Sequence, residues 1–453
     1  MLINSIKFGG TSMGSAKSII SCANIVKKKL IKGKVIVTVS AVGGMTDELI
    51  EIIDLARKLK PRLVRSKVFE ISNFHKNILR DIIVDEEKYE QIWINKFEPI
   101  IKKLEAISYG TSLVGDLTDK TVARICAFGE KLSSMLMCYA LESVSVESER
   151  IESERIIRTD NNYLKAKVNF QATSLAAKKL LRPLLRKNII PVVTGFIGKD
   201  THGNITLLGR GGSDYTASII AMIFEASSVE IWTDVDGIMT ADPRIVKDAF
   251  SWKSLDMHVM SEMAYSGAKV VHPDTIALAV ENDIPVYVYN TFNTKFAGTK
   301  ICKVAPHAKG IVGNPGNTLI TLENTNIING VGFVKMITST VAENNIPIDV
   351  CATSEISFTF SIKSEDYSRK LHKLLQNFAD VSVKKKMTKL CFIGNGVGHN
   401  TKLLSGIFDL CDEHSIAIHT ISVSASGNNI TIIIDEFQTK LALRELHEKF
   451  LKE

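Results

Sequence analysis

The 453-residue chain carries only seven cysteines, at 22, 126, 138, 302, 351, 391 and 411, and no Cys-x-x-Cys pair. An odd, scattered set in a chain of this size excludes a disulfide framework and a zinc-ribbon site, and points to reduced thiols in a cytoplasmic protein. Long apolar runs are missing too. The most hydrophobic stretches, residues 35–42 and 430–434, have only strand length, so no membrane span is expected. The N-terminus lacks a basic segment, an apolar core and a small-residue cleavage site in that order, which argues against secretion. Neither sign of charge dominates. The net +7 is dispersed, and the runs 27–29 and 384–386 have no interleaved aromatics. They read as solvated faces or helix ends, and no nucleic-acid partner is expected. There is no Walker loop, no G-x-G-x-x-G, no Ser/His/Asp set and no His/Cys metal spacing, so P-loop, Rossmann and triad chemistry are set aside and no protein-held metal is expected.

What is present is an ordinary globular composition, 45% hydrophobic and 23% charged, in a chain long enough for two or three domains. The first 300 residues alternate strand and helix. Strands are predicted at 3–8, 35–40, 189–194, 229–233 and 285–289, and helices at 15–30, 48–59 and 130–141. Residues 61–107 carry helical periodicity through Val68, Ile71, Phe74, Ile78, Leu79 and Ile82. This alternation predicts an α/β fold, a mainly parallel sheet flanked by helices. A seam follows at 294–309, and an internal repeat lies beyond it. One copy has a strand at 318–322, the loop Asn329-Gly330-Val331-Gly332, a helix at 333–344, a strand led by Ile348-Asp349 and another at 357–362. The other has a strand at 390–393, the loop Asn395-Gly396-Val397-Gly398, a helix at 402–414, the segment Ile416-Ala417-Ile418-His419 and a strand at 429–434. Each copy ends in a helix, giving two α+β units of order βαββα. One such unit has little core of its own, so pairing between units or chains is expected.

Four segments carry the candidate chemistry. Lys7-Phe8-Gly9-Gly10-Thr11-Ser12 joins the first strand to the first helix; its glycines let backbone N–H groups approach an anion, and Lys7 brings a point charge suited to phosphate. Taken alone, a tight turn with a surface lysine explains it as well. Gly43-Gly44-Met45-Thr46 follows the next strand in the same way, at the edge where open α/β sheets bind ligands. Gly209-Arg210-Gly211-Gly212-Ser213-Asp214 opens a helix. Arg210 can grip a carboxylate with two parallel bonds, and Asp214 either caps the helix or serves a site. Trp232-Thr233-Asp234 ends a strand in a polar turn, with Arg244 and the Gly267-Ala268-Lys269 loop further on. Lys269 and His272 taken singly read as a solvated side chain and a structural histidine.

Together and in this order, these segments and Gly129-Glu130-Lys131-Leu132-Ser133 resemble aspartate kinases of the amino-acid-kinase superfamily over nearly the whole chain. The C-terminal repeat resembles that family's tandem ACT domains. The resemblance implies a catalytic domain at 1–297 and ACT domains at 310–385 and 386–453, with the stretch before Thr318 able to belong to the second. It implies transfer of the ATP γ-phosphate to the β-carboxylate of L-aspartate, with Mg²⁺. Lys7 would neutralise charge on the transferring phosphate and Asp214 would orient it. Gly9 and Gly10 would donate to phosphate. Thr46, Glu130, Phe196, Arg210 and Ser213 would hold aspartate, with Arg210 on the α-carboxylate and Glu130 facing the amino group. Thr233, Asp234, Arg244 and Lys269 would bind ATP. No general base is needed, because a carboxylate is already a nucleophile at neutral pH.

An end-product amino acid would bind at Phe333, Val334, Ile348, Asp349, Ser354 and Glu355, with Asp349 pairing to a side-chain ammonium. Lysine is the first expectation for this effector and threonine the alternative. Two departures stand out: Met239 replaces a frequent tyrosine in the nucleotide loop, and Asn329-Gly330 replace the His and Ser of lysine-sensitive relatives. A homo-oligomer joined through the ACT domains is expected, without a fused dehydrogenase. The rival readings are a glutamate or acetylglutamate kinase and a non-catalytic amino-acid sensor.

Overall fold

The computed structural model describes residues 2–268, 271–305, 308–323 and 332–452. The chain forms two compact units. Met1–Ile238 with Val271–Lys303 makes the first, and Met239–Val270 with Val304–Glu453 the second.

The first unit contributes β1 (Ile3–Phe8), β2 (Lys34–Val39), β3 (Ser148–Ile151), β4 (Ile190–Thr194), the short hairpin β5 (Ile197–Lys199) and β6 (Ile205–Leu207), and β7 (Ser228–Thr233). The chain then enters the second unit for β8 (Ser254–Asp256) and returns for β9 (Val286–Asn290) and β10 (Thr299–Cys302). The main sheet of the first unit runs in the order β3-β4-β2-β1-β7-β9-β10. All neighbours are parallel except β10, which is antiparallel to β9. Its central strands, such as Lys-Val-Ile-Val-Thr-Val in β2 and Ile-Pro-Val-Val-Thr in β4, are buried almost throughout, as a sheet covered on both faces requires. The sheet grows outward from β1 in both directions. That places the strand-order reversal, where α/β sheets open a crevice at the carboxyl ends, beside β1.

Helices follow where the apolar spacing demands them. Helix Ala16–Lys29 starts at a Ser15–Ser18 capping box and buries Ile19, Cys22, Ala23 and Val26 on one face. The helical stretch expected over 61–107 divides into Pro61–Ile82, Glu86–Ile92, a π-helical turn at Trp93–Phe97, and Glu98–Val114. One assignment there is corrected. Phe74 is 39% exposed, and the neighbouring His75 takes the interior position. Its Nδ1–H donates to the Ile71 carbonyl at 2.8 Å, and burial holds its pKa down at about 4, so it is a neutral core residue.

The second unit contains β11 (Lys309–Glu323), β12 (Val350–Thr353), β13 (Ser357–Lys363), β14 (Asp380–Gly394), β15 (Thr420–Val423) and β16 (Asn429–Asp435). They form one antiparallel sheet of order β12-β13-β11-β14-β16-β15. Each copy of the repeat gains a strand that the βαββα pattern did not contain. Residues 380–384 of β14, which end at the first lysine of the charged run 384–386, pair with residues 319–323 of β11. Residues 309–314 of β11 pair in turn with residues 389–394 of β14. The stretch before Thr318 therefore supplies a strand to the second copy, and position 385/386 falls inside β14. Register shifts between Asn314 and Leu319, with Gly316 at φ +77°, mark the passage of β11 from one copy to the other. Each copy keeps a core of its own, around Phe358, Phe360 and Ile337 in the first and Phe392, Ile407 and Ile432 in the second. Leu319, Val350, Met387 and Ile433 form a smaller cluster drawing on both copies.

Candidate active site

Lys7 lies one residue from the end of β1, opposite Thr38 of β2 and Ile231 of β7. Its Nζ stands 2.7 Å from Asp214 Oδ1, and both side chains are about nine-tenths buried, 11% and 12% exposed. Asp214 sits in the first turn of helix Gly212–Phe224, whose N-cap is Gly211 and has no side-chain cap bond. Of the two roles open to Asp214, capping is therefore not the one it fills; its carboxylate faces Lys7. The approach is a close ion pair without the directionality of a good hydrogen bond. Two charges withdrawn from water in this way are stabilising only while both remain, and removing one costs about 3–5 kcal/mol.

The turn after β1 is held in place by β7. The Gly9 N–H donates to the Trp232 carbonyl at 2.9 Å, and the Ser12 hydroxyl donates to the same oxygen at 3.2 Å. Gly9 is thus not a free donor for phosphate: its N–H anchors the loop. Among the described residues the Gly10 and Thr11 N–H groups have no protein acceptor, and they remain available to an anion. Gly10 is needed for space. A Cβ there would lie 3.2 Å from the Ala41 carbonyl and 3.4 Å from Gly43 Cα, so the two glycine pairs read from the sequence meet backbone to backbone.

Glu130, in helix Phe128–Ser143, is only 5% exposed. Burial raises its pKa to about 8, against the opposing pull of the Ala41 N–H, its own N–H and the Lys7 charge. A carboxyl this close to neutrality is poised to ionise when a cation arrives. Ser133, on the same helix, ties it to β2 through a 2.6 Å bond from its hydroxyl to the Ser40 carbonyl. Phe196, just past β4, holds a strained φ of +71°. Its N–H donates to Thr216 Oγ1 at 3.1 Å, and its carbonyl accepts from the Leu208 N–H at 2.9 Å. Ser213 is buried beside Gly195, where any Cβ would collide with the serine side chain. Arg210 and Thr46 are exposed, and Arg210 pairs with no carboxylate among the described residues. These groups lie at the carboxyl ends of β1, β2 and β4 and at the starts of three helices, which suits a small anionic amino acid.

The nucleotide residues divide. Thr233 ends β7; its carbonyl accepts from the Thr291 N–H at 2.8 Å and its hydroxyl donates to Asp234 Oδ1 at 3.1 Å. Arg244 belongs to the second unit, where Asp242 engages its guanidinium, with Nη2 to Oδ2 at 2.6 Å. Lys269 lies outside the described residues.

Comparison with known proteins agrees with this arrangement. The amino acid kinase family model matches residues 6–290, and an ACT domain model matches 390–450. Aspartokinase 1, chloroplastic, of Arabidopsis thaliana is 30% identical over 99% of this chain and 80% of its own length. Lysine-sensitive aspartokinase 3 of Escherichia coli is 28% identical over 98% of both chains. The crystal structure of E. coli aspartokinase III with lysine and aspartate superposes with a TM-score of 0.84 at 27% identity, over the full length of both chains. The structure of that protein with aspartate and ADP gives 0.82.

The chain belongs to the aspartokinase family. It is therefore a member of a family of ATP-dependent kinases, built here from an amino-acid-kinase unit and an ACT unit. Among the described residues no helix is long and apolar enough to cross a membrane. All seven cysteines of this aspartokinase are free thiols.

Of the effector residues read from the sequence, Phe333 is buried, Val334 is 41% exposed and Glu355 is exposed. Ile348 is half-buried and Asp349 exposed where the chain enters β12, and Ser354 bonds Ser357 across a tight turn, with 2.7 Å between the hydroxyls. Asn329 and Gly330 lie outside the described residues. Sequence reasoning gives no role to Ser12 or Thr291, whose hydroxyls meet at 2.7 Å beside the glycine turn after β1. Ser12 lies within the Lys7–Ser12 segment; Thr291 follows β9 with no local signal.

Proposed function

We propose that this aspartokinase transfers the γ-phosphate of ATP to the β-carboxylate of L-aspartate, giving 4-phospho-L-aspartate, the entry step to lysine, threonine and methionine. The buried Lys7–Asp214 pair beside the free Gly10 N–H carries the reading. Asp214 fixes the ammonium of Lys7 at the loop, so that its charge meets negative charge building on the transferring phosphoryl group. Gly10 and Thr11 donate backbone N–H groups to the same anion. Arg210 takes the α-carboxylate of aspartate in a bidentate bond, and Glu130 receives its ammonium. Thr46, Phe196 and Ser213 hold the remainder in line for attack. Thr233 and Asp234 are assigned to ATP, and Asp234 would help hold the Mg²⁺ that accompanies it. When bound, Mg²⁺ would neutralise polyphosphate charge. Arg244 and Lys269 are further nucleotide contacts.

The catalytic domain is assigned to 1–297 and the ACT domains to 310–385 and 386–453, in a cytoplasmic homo-oligomer. Feedback by lysine at Phe333, Val334, Ile348, Asp349, Ser354 and Glu355 is supported by the name of the lysine-sensitive E. coli relative and by its complex with lysine. Threonine is the alternative effector. The test is ADP release with Mg-ATP and L-aspartate, beside L-glutamate and a no-acceptor control, with and without lysine. Aspartate-dependent release suppressed by lysine is expected. Release with glutamate alone, or none from folded protein, overturns the assignment.

A further inference from the structure

Asp349 already has a cationic partner within the chain. Lys389 Nζ lies 3.4 Å from Asp349 Oδ1, with the lysine side chain 8% exposed and the aspartate 26%. Lys389 sits in β14 between Asn314 of β11 and Ile433 of β16, in a stretch, Met387–Gly394, that is buried throughout. Among the described residues no other carboxylate comes within 4 Å of it. An ammonium held this deep depends on its counter-charge, so the Lys389 charge is committed to Asp349.

The backbone that carries Asp349 is fixed too. The Asp349 N–H donates to the Ser361 carbonyl at 2.9 Å, and the Val350 N–H donates to the Ser361 hydroxyl at 3.2 Å. A second ammonium joins the cluster. Lys363, two residues along β13 from Ser361, donates to Asn314 Oδ1 at 2.7 Å and feels both Asp349 and Lys389. Two cations therefore share one anion. The other copy of the repeat is built differently. There His419 stands where the repeat puts Asp349, next to Lys384 at 3.1 Å and Asp435 at 3.4 Å.

We propose that Lys389 is a specificity-determining residue, a tethered competitor whose ammonium occupies Asp349 and sets the concentration at which an amino acid with a side-chain ammonium can bind. The inference rests on the reading of Asp349 as an effector residue. A free lysine reaching Asp349 must share or displace Lys389, and it enters a cluster that already holds two positive charges. A tethered rival is always at high effective concentration, so it raises the threshold for the free ligand. An amino acid with a neutral side chain does not meet this barrier.

The experiment uses full-length protein in four forms: wild type, Lys389→Met, Lys389→Gln and Lys389→Arg. Calorimetry measures L-lysine binding, ADP release measures lysine inhibition relative to each protein's own uninhibited rate, and thermal melting confirms folding. Methionine fills the same volume in the apolar strand, and glutamine serves if it fails to fold. The expected result is lysine binding tighter by about tenfold or more in Lys389→Met, the scale of a partly buried charge pair, with Lys389→Arg near wild type. Unchanged or weaker binding in both uncharged variants overturns the proposal, and if wild type is nonetheless inhibited by lysine, the lysine reading survives alone. A wild type blind to lysine beside a responsive Lys389→Met supports the competitor and removes lysine as the native effector. Absence of lysine binding in every form overturns both.

Discussion

Among the described residues two buried lysines each pair with an aspartate, and the pairs differ in what lies around them. Lys7 and Asp214 are 2.7 Å apart, with similar exposure, beside free backbone N–H groups at the open end of a parallel sheet. Lys389 and Asp349 are 3.4 Å apart, with the lysine deep inside an antiparallel sheet and the aspartate half in water. The first lysine is aimed at a space where an anion can come and go, and its aspartate steadies it. In the second pair the roles reverse: the aspartate faces the ligand side and the lysine is the fixed neighbour. On the proposed assignments, the same two residue types make an anion site in one unit and a guarded cation site in the other, according to what surrounds each pair.

The contrast is broken most forcefully at Lys7. Lys7→Ala should lower turnover about a thousandfold or more, with melting showing the chain still folded. A rate within a few-fold of wild type would make the Lys7–Asp214 pair structural. Glu130 sharpens the comparison through pH. Its folded-state pKa of about 8 is raised from an ordinary 4.5, so the folded chain holds an extra proton between those values, and stability falls as pH rises through that window. Aspartate binding at pH 7 should release this proton, and affinity should weaken by up to about tenfold per unit below pH 8. Glu130→Gln should bind more weakly and flatten the profile; calorimetry in buffers of different ionisation enthalpy reads the proton directly. Asp349→Ala should raise the half-inhibitory lysine concentration by about tenfold and also lower the melting temperature, because Lys389 loses its counter-ion. A lost response with an unchanged melting point would mean that the pair is weaker than its geometry indicates. Ser12→Ala is the smallest change, about 1 kcal/mol in a denaturant titration, from the bonds to Trp232 and Thr291.

The first pair was readable in the sequence and the second only in part. Lys7 and Asp214 each border a glycine-rich turn between a strand and a helix, and such turns announce themselves by composition. Their approach over 207 residues of chain separation is a tertiary fact, supplied in advance by resemblance and not by pattern. Lys389 gave no signal. It stands in an apolar strand with no motif, and a lone lysine there reads as a strand end. The charged run at Lys384–Lys386 is the solvated face it reads as, but nothing in it announces that Lys384 ends a stretch of β14 that pairs with β11 and closes the first copy. The Gly9 donor expectation failed for a related reason: a glycine pair shows that backbone comes close to something, without showing that the neighbour is another strand's carbonyl. His75 and Phe74 exchanged places because adjacent helix positions differ by 100°, and a neutral histidine can fill an apolar slot as well as a phenylalanine.

The two fifteen-residue strands β11 and β14 each run from one copy of the repeat into the other. A chimaera that trades a single copy with another protein must cut through a hydrogen-bonded ladder twice, leaving two raw strand ends in the middle of a sheet. The repeat is therefore exchangeable only as a whole. An altered regulatory response has to be sought by point substitution inside it or by transplanting both copies together.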